Sequence, residues 1–169
     1  MLAISSIIRF KTVNSPTTDL DPADCRLLAV LQDDGLIPVV DLAEKIGLSA
    51  TATTERIKRL TREGYILGYG ARLSPEKLGR AFLVFIEVKL ERTTLDVFEQ
   101  FAKAIVRAPE VLECHMVAGG FDYLVKTRVA DMEAYRHFLG NILWALPGVR
   151  ETHTYAVMEE IKSTAALPV

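Results

Sequence analysis

The spacing of apolar residues changes its period near residue 80, and this change constrains the fold more than any other feature. Between residues 22 and 63, apolar residues recur every three or four positions, which is typical of amphipathic helices. The segment FLVFIEVKL (82–90) instead alternates every second position, which is typical of a half-buried strand. The chain is therefore predicted to contain two differently built domains, joined by a segment with the sequence SPEKLG.

The first domain is predicted to contain three helices. Asp21 is placed to cap the first helix, and Asp24 in its first turn favours the positive end of the helix dipole. The second helix stops at Gly47, and Ser49 can cap a third helix two residues later. This short connection has the spacing of a helix-turn-helix. The glycine-punctuated stretch YILGYGARLS that follows predicts a small β-hairpin wing.

The second domain has the element order β-α-β-β-α-β, which is that of a ferredoxin-like sandwich. The predicted fold class is therefore α+β, with an N-terminal winged helix-turn-helix and a C-terminal ferredoxin-like βαββαβ sandwich. Its predicted elements are a strand at 82–90, a helix at 95–108, strands at 111–118 and 122–129, a helix at 132–146 and a closing strand in VRETHTYAVMEEI.

Charge points to one surface of the first domain. The chain carries a net charge of −2, yet residues 50–72 contain five basic and two acidic side chains, which indicates a surface that faces a polyanion. On a helical wheel the third helix packs inward through Ala50, Thr53, Ile57 and Leu60, and its outer side carries Thr51, Ala52, Glu55, Lys58, Arg59 and Arg62.

This outer side suits insertion into the major groove of double-stranded DNA. Small and hydroxyl residues permit close approach to base edges, and the cations, including an exposed Arg59, meet phosphate. The alternative is a solvated amphipathic helix without a partner. The candidate DNA-binding residues are Ser49, Ala50, Thr51, Ala52, Thr54, Glu55, Lys58, Arg59 and Arg62.

The stretch ECHMVAGGFDYLV (113–125) combines groups that could suggest catalysis. On a strand, however, Cys114 and His115 point to opposite faces, whereas a nucleophile and its base must lie within hydrogen-bond reach. His115 and His153 alone would make a poor metal site. The pair Gly119-Gly120 lacks a following helix N-terminus, so it predicts a hairpin turn with positive φ rather than a phosphate loop. No catalytic residue, metal or cofactor is therefore expected.

Two further observations bear on location. Cys25 and Cys114 are far apart in sequence, which favours two reduced thiols. The apolar opening MLAISSII has no preceding basic residues and no cleavage site, and it is too short to span a bilayer. A cytoplasmic protein that does not engage membranes, associated with the nucleoid through DNA, is expected.

Several of these motifs together resemble the Lrp/AsnC (feast/famine) family of transcriptional regulators. The resemblance runs from Leu20 to about Lys162 and is carried by LDPADCRLLAVLQDDG, LAEKIGLSATATTERIKRLTREGYILGY, VFEQF, ECHMVAGGFDYLVKTRVADMEAYR and LPGVRETHTYAVMEEIK. It implies a regulator of amino-acid metabolism whose sandwich domains pair into dimers. These dimers commonly gather into octamers or other closed assemblies, and an amino-acid effector binds between the sandwich domains.

The resemblance also implies domain roles and effector residues. The domains are a disordered arm at 1–18, a DNA-binding domain at 19–72, a linker at 73–80, an effector-binding and oligomerisation domain at 81–162 and a tail at 163–169. A loop amide could hold the α-carboxylate, Asp122 could pair with the α-ammonium or simply brace its hairpin, and the methionines could line the site or pack in the core. The implied effector residues are Met116, Gly119, Gly120, Asp122, Met132, Tyr155, Ala156 and Val157.

Three positions depart from the family pattern. Ala50 stands where the family usually has a proline, and Thr53 where it commonly has a cysteine. The operator sequence of other family members is therefore not assumed for this chain. Gly120 stands where leucine-responsive members have an acidic residue, so the effector is leucine or another amino acid. Two other functions stay open: an architectural protein that bends or wraps DNA with little effector response, and a ferredoxin-like enzyme, which would leave the first 80 residues unexplained.

Overall fold

The computed structural model describes residues 20–169, so the predicted arm at 1–18 lies outside the described residues. The chain divides into two compact units. The first extends to Arg72 and includes Lys162–Val169, and the second is Leu73–Ile161. The segment predicted as a linker thus begins the second unit. The predicted tail belongs to the first unit, where the side-chain amide of Gln32 exchanges two hydrogen bonds of 3.0 and 2.6 Å with the backbone of Leu167.

The described part of the first unit contains three helices, which confirms the helix-turn-helix. Its helices are α1 (Pro22–Asp33), α2 (Val39–Ile46) and α3 (Ala50–Arg62). Gly47 ends α2 with a φ of 73°, and the Ser49 side chain caps α3 by accepting a hydrogen bond from Ala52 N. The buried apolar side chains that hold the three helices together are Leu27, Leu28, Leu42, Ile46 and Leu60.

The segment after α3 differs from the predicted hairpin. The backbone amides of Tyr65 and Ile66 both donate to Leu60 O, at 2.9 and 3.2 Å, so they close the helix rather than begin a ladder. No strand pairing forms in residues 65–74 of the described chain. Glycines weaken strands because they leave no side chain to pack, which explains why the hairpin prediction is wrong here.

The second unit is a four-stranded antiparallel sheet with strand order β2-β3-β1-β4, which confirms the ferredoxin-like topology. Its elements are β1 (Phe82–Leu90), α4 (Leu95–Ile105), β2 (Val111–Met116), β3 (Tyr123–Val129), α5 (Met132–Phe138) and β4 (Val149–Ala156). The ends of α4, β2 and β3 each lie one to three residues inside the predicted bounds.

The two faces of this sheet have different surroundings. Alternate residues of β1, such as Ile86 and Val88, are buried in one core with Phe101 of α4 and Phe138 of α5. The intervening residues face the other side, where Leu83 is buried near the start of the strand but Phe85, Glu87 and Lys89 are only half-buried. One face of the sheet is therefore covered by helices, and the other is open in a single chain.

The helix predicted at 132–146 changes its winding after Phe138. Residues Leu139–Leu143 form a π-helical turn, closed by a hydrogen bond of 3.0 Å from Trp144 N to Leu139 O. Because a π turn has a wider repeat than an α turn, residues five apart face the same side. Phe138 and Leu143, five positions apart, are both buried in the core. The continuous α-helix prediction is therefore wrong over this turn.

Candidate functional sites

The outer side of α3 presents small residues at its start and cations near its end. Thr51, Glu55, Lys58 and Arg62 are exposed, with Lys58 and Arg62 at 65% and 74%. Ala50 is exposed as well, whereas the wheel had placed it inward. It is the first residue of the helix, beyond the apolar side chains that cover the following turns.

Two hydroxyls among the candidate residues are used within the helix. Ser49 Oγ accepts from Ala52 N at 3.2 Å, and Thr54 Oγ1 donates to Ala50 O at 2.9 Å. Thr51 is the exposed hydroxyl of the first turn. Thr51 therefore lies best for contact with a ligand outside the unit.

The exposed Arg59 expected from the sequence is not what the structure contains. Arg59 Nη2 donates to Asp24 Oδ2 at 2.5 Å, and its side chain is 30% exposed. Arg59 Nη1 also lies 3.6 Å from a carboxylate oxygen of Glu63. On the helical wheel, Arg59 lies where the inner and outer sides of α3 meet, and the wheel places it on the outer side. In the structure, a carboxylate on α1 binds the side chain and turns it inward.

The partner of Arg59 is a buried carboxylate that sequence reasoning assigned only to the helix dipole. Asp24 is 1% exposed and receives Arg56 Nη1 at 2.7 Å in addition to Arg59. Burial raises the pKa of Asp24, but the hydrogen bonds from Arg59 and Arg56 outweigh it, so the pKa lies below its usual value. The sequence did contain a signal: Asp24 stands three and four positions before Leu27 and Leu28, on the buried stripe.

In the second unit, the candidate effector residues begin with the turn between β2 and β3. Gly119 and Gly120 are exposed, and a Cβ added at either would meet open space. Neither has a positive φ, so that part of the prediction is wrong. The turn is six residues long and is closed by a hydrogen bond of 3.0 Å from Val117 N to Asp122 O. A loop of this length reverses the chain without left-handed backbone at the glycine pair.

Asp122 braces the end of β1. Its Oδ2 accepts a hydrogen bond of 2.8 Å from Leu90 N, and its own backbone amide donates to Val88 O at 3.0 Å. The side chain is half-buried. The bracing role considered from the sequence is therefore present in the chain, whatever else the carboxylate binds.

The candidate effector residues form two groups at opposite ends of the sheet. Met116, the glycine pair and Asp122 lie near Leu90, at the end of β1, whereas Ala156 pairs with Val84 near its start. Six residues of strand separate Val84 from Leu90, which corresponds to about 20 Å. Met132 begins α5 just after β3 ends, and therefore belongs with the second group. Tyr155 and Val157 flank Ala156, and the side chains of Met116, Met132 and Tyr155 are exposed.

The strand that carries Cys114 and His115 separates them as the sequence predicts. Cys114 packs against the helix-covered core, where burial raises the pKa of its thiol to about 11. His115 is exposed on the open face, with its Nε2 3.4 Å from Glu113 Oε2. A thiol with this pKa is protonated near neutral pH and has no imidazole within reach, so the pair lacks the geometry of a nucleophile and its base.

Among residues 20–169, no three His, Cys, Asp or Glu side chains are arranged to hold a metal ion. Each helix of the same range is too short or too polar to cross a membrane.

A helix-turn-helix with a basic outer side, followed by a ferredoxin-like domain, defines a class of DNA-binding proteins with an attached second domain. Comparisons with known proteins agree. Residues 20–66 match the family described as winged helix-turn-helix DNA-binding, and residues 83–167 match the Lrp/AsnC ligand binding domain. The chain belongs to the Lrp/AsnC family of transcriptional regulators.

Individual relatives are similar over nearly their whole length. The leucine-responsive regulatory proteins of Klebsiella pneumoniae and Escherichia coli K12 are each 51% identical over 154 residues, covering 91% of this chain and 94% of the relative. Among solved structures, a Neisseria meningitidis transcriptional regulator in complex with L-Met has a TM-score of 0.84, with 37% identity, and covers 88% of this chain and 96% of its own. An AsnC family regulator from Agrobacterium tumefaciens has the same TM-score with 32% identity, covering 88% and 97%.

Proposed function

We propose that the chain regulates genes of amino-acid metabolism by binding operator DNA through α3 and responding to an amino acid held by its second unit. The observation that carries the proposal is the outer side of α3, where Lys58 and Arg62 are exposed beside a helix-turn-helix. Their partners Glu55 and Glu63 form surface ion pairs, which stabilise little and can be exchanged for phosphate. Thr51 and Ala50, at the start of the helix, would lie against base edges.

DNA recognition of this kind needs two copies of the chain. We propose that a second copy covers the open face of the sheet, where Phe85 is half-buried and Tyr155 is exposed. A two-fold dimer would place two α3 helices on successive major grooves, so paired half-sites should be spaced by whole helical turns. Dimers would gather further into an octamer or another closed assembly, located with the DNA in the cytoplasm.

The effector proposal follows from the separation of the candidate residues. Since the two groups lie about 20 Å apart along the sheet, one chain does not surround a small amino acid with both. A site completed between chains would bring the Asp122 turn of one copy to the Tyr155–Val157 segment of another. Exposed methionines would supply an adaptable apolar wall for the amino-acid side chain. The complex of the Neisseria relative with L-Met supports an amino acid as the ligand class.

The DNA part is tested by selecting genomic fragments with the purified chain and footprinting the enriched sites. We expect protection of paired half-sites, and Arg62→Ala should weaken binding to all selected fragments. Lys103→Ala, which removes a 72% exposed cation from the second unit, is the matched control. Equal binding to selected and random fragments would instead identify an architectural protein.

The effector part is tested with Asp122→Ala. This variant should require a higher amino-acid concentration for its response while the dimer still binds DNA. Glu99→Ala, which changes a 67% exposed carboxylate on α4, controls for general loss of charge in the same unit. A response at the wild-type ligand concentration would remove Asp122 from the ammonium site.

A further inference from the structure

We infer that Asp24 is a positioning residue for DNA recognition, which holds α3 at a fixed position on α1 by binding Arg56 and Arg59 together. The inference rests on the proposed DNA-binding function of α3. It divides the basic residues of this helix into two inner arginines that position it and two outer cations, Lys58 and Arg62, that meet phosphate.

The carboxylate of Asp24 accepts three hydrogen bonds. Oδ1 accepts from Arg56 Nη1 at 2.7 Å, and Oδ2 accepts from Arg59 Nη2 at 2.5 Å and from Asp21 N at 3.1 Å. The side chain is 1% exposed. A charge removed from water to this extent is tolerated only when it is paired and hydrogen-bonded, so losing either arginine leaves an uncompensated group.

These bonds fix α3 in a way that its apolar contacts do not. Leu60, Leu27 and Leu28 are buried, but apolar burial is non-directional and permits small rotations of one helix on another. Arg56 and Arg59 are one turn apart on α3, and both guanidinium groups converge on one carboxylate of α1. Charge-assisted hydrogen bonds depend on distance and angle, so rotation or sliding of α3 would break one of them.

The same cluster removes two positive charges from the DNA-facing side. Arg56 also donates to Asp21 Oδ2 at 2.7 Å, so two carboxylates balance two guanidinium groups within the unit. Lys58 and Arg62 have no such buried partner: Lys58 lies 2.9 Å from Glu55 and Arg62 4.0 Å from Glu63, both surface contacts. Counterion release on DNA binding should therefore count the outer cations and not the inner arginines.

The test measures DNA affinity and its salt dependence for the full chain on a selected operator. Asp24→Asn keeps the shape of the side chain but loses its charge, and should weaken binding roughly 5- to 150-fold, as the loss of one base contact would. Asp33→Asn, an exposed aspartate on the same helix, is the matched control and should bind like the wild type. Circular dichroism of each variant shows whether the helices remain folded.

Salt dependence separates positioning from direct contact. Arg62→Ala should lower the slope of log Kd against log salt by about 0.9 for each copy of the chain that binds, one phosphate per copy, whereas Arg59→Gln should weaken binding with the slope unchanged. In a double-mutant cycle, Asp24→Asn and Arg59→Gln together should cost no more than the larger single loss. The fold losses in DNA affinity caused by Asp24→Asn and by Arg62→Ala should instead multiply when the two changes are combined.

Each outcome has a definite meaning. A slope that falls by about 0.9 per bound copy in Arg59→Gln, or wild-type affinity in a folded Asp24→Asn, overturns the positioning role while leaving DNA binding by α3 intact. If Asp24→Asn does not fold, the slope of Arg59→Gln alone decides. Failure of the wild-type chain to bind any selected fragment would reject the proposed function itself.

Discussion

The two units of the molecule differ in the interactions that stabilise each of them internally. In the second unit, twelve buried side chains form one core, in which rings of α4 contact Tyr123 of β3 and a ring of α5 contacts Phe82 of β1. In the described part of the first unit, a core cluster of five buried apolar residues is supplemented by a carboxylate that binds two arginines. The larger core is specified mainly by packing, whereas the smaller one adds directional ion pairs.

The kind of core in each unit suits the role proposed for it. A small helical core buries less apolar surface for its size, so its helices gain position from polar contacts that resist rotation. A larger apolar core holds its sheet mainly by packing, and the ion pairs of the second unit, such as Lys126 with Glu113 and Arg128 with Glu160, lie outside that core. Substitutions should therefore act on the two units by separate mechanisms, and the following experiments compare them.

The largest effect is expected in the apolar core. Phe101→Ala should lower the free energy of unfolding of the second unit by about 3–5 kcal/mol, because Phe101 is fully buried and stacks 4.4 Å from Tyr123. Trp144, the chain's single tryptophan, reports this unit by fluorescence during urea denaturation. Val106→Ala, at an 85% exposed position, should change the midpoint little. A similar small change in both variants would contradict the packing account.

A smaller and differently located effect is expected from the ion cluster. Asp24→Ala should destabilise the first unit by about 1.5–3 kcal/mol, the value of hydrogen bonds to charged groups. Hydrogen exchange measured by mass spectrometry should show faster exchange in α1 and α3, while the Trp144 transition is unchanged. Equal acceleration throughout both units would show that the cluster does not belong to the first unit alone.

The turn before β4 offers a third comparison within the second unit. Gly148 has a φ of 75°, and an added Cβ would lie 2.7 Å from Val97 Cγ1. Gly148→Ala should lower the free energy of unfolding of the second unit by about 1–2 kcal/mol, because alanine is strained in left-handed backbone. The contact with Val97 adds to this loss. Gly140→Ala, where a Cβ meets open space, is the control. Both are measured by the Trp144 transition, and equal midpoints would contradict the strain at Gly148.

The smallest effect is expected in the acid range. The pKa of Asp24 is lower in the folded chain than its usual value, so its stabilisation is present above about pH 4 and is lost as the pH falls through the folded pKa. The stability difference between wild type and Asp24→Asn should therefore narrow below about pH 4. The stability difference is measured from the hydrogen-exchange rates of α1 amides at several pH values, after correction for intrinsic exchange rates. If the stability difference between wild type and Asp24→Asn widened on acidification, the direction of the pKa shift assigned to Asp24 would be contradicted.

Much of the architecture could be predicted because periodicity and caps act locally. The bounds of β1, the Ser49 cap of α3 and the order of the sandwich elements all follow from residues close in sequence. The position of Arg59 could not be predicted in the same way, since it depends on a carboxylate 35 residues earlier on another helix.

In the candidate sites, too, local sequence patterns predict some features and not others. The outer face of α3 follows from helical spacing, so Lys58 and Arg62 were assigned correctly as exposed. The π turn after Phe138 and the backbone of the Gly119-Gly120 turn depend on packing and loop length that no local pattern encodes. The effector residues, which lie at both ends of the sheet, stay a prediction because their juxtaposition requires a second chain.

The central claim is that an amino acid bound to the second unit alters DNA binding by the first. The most direct measurement is the affinity of the full chain for a selected operator with each of the twenty amino acids at millimolar concentration, paired with thermal unfolding. At least one should shift the affinity by roughly 5- to 150-fold. At 100 times its Kd it should also stabilise the protein by roughly 2.7 kcal/mol. Unchanged affinity and unchanged thermal stability with all twenty would contradict the claim and favour an architectural role.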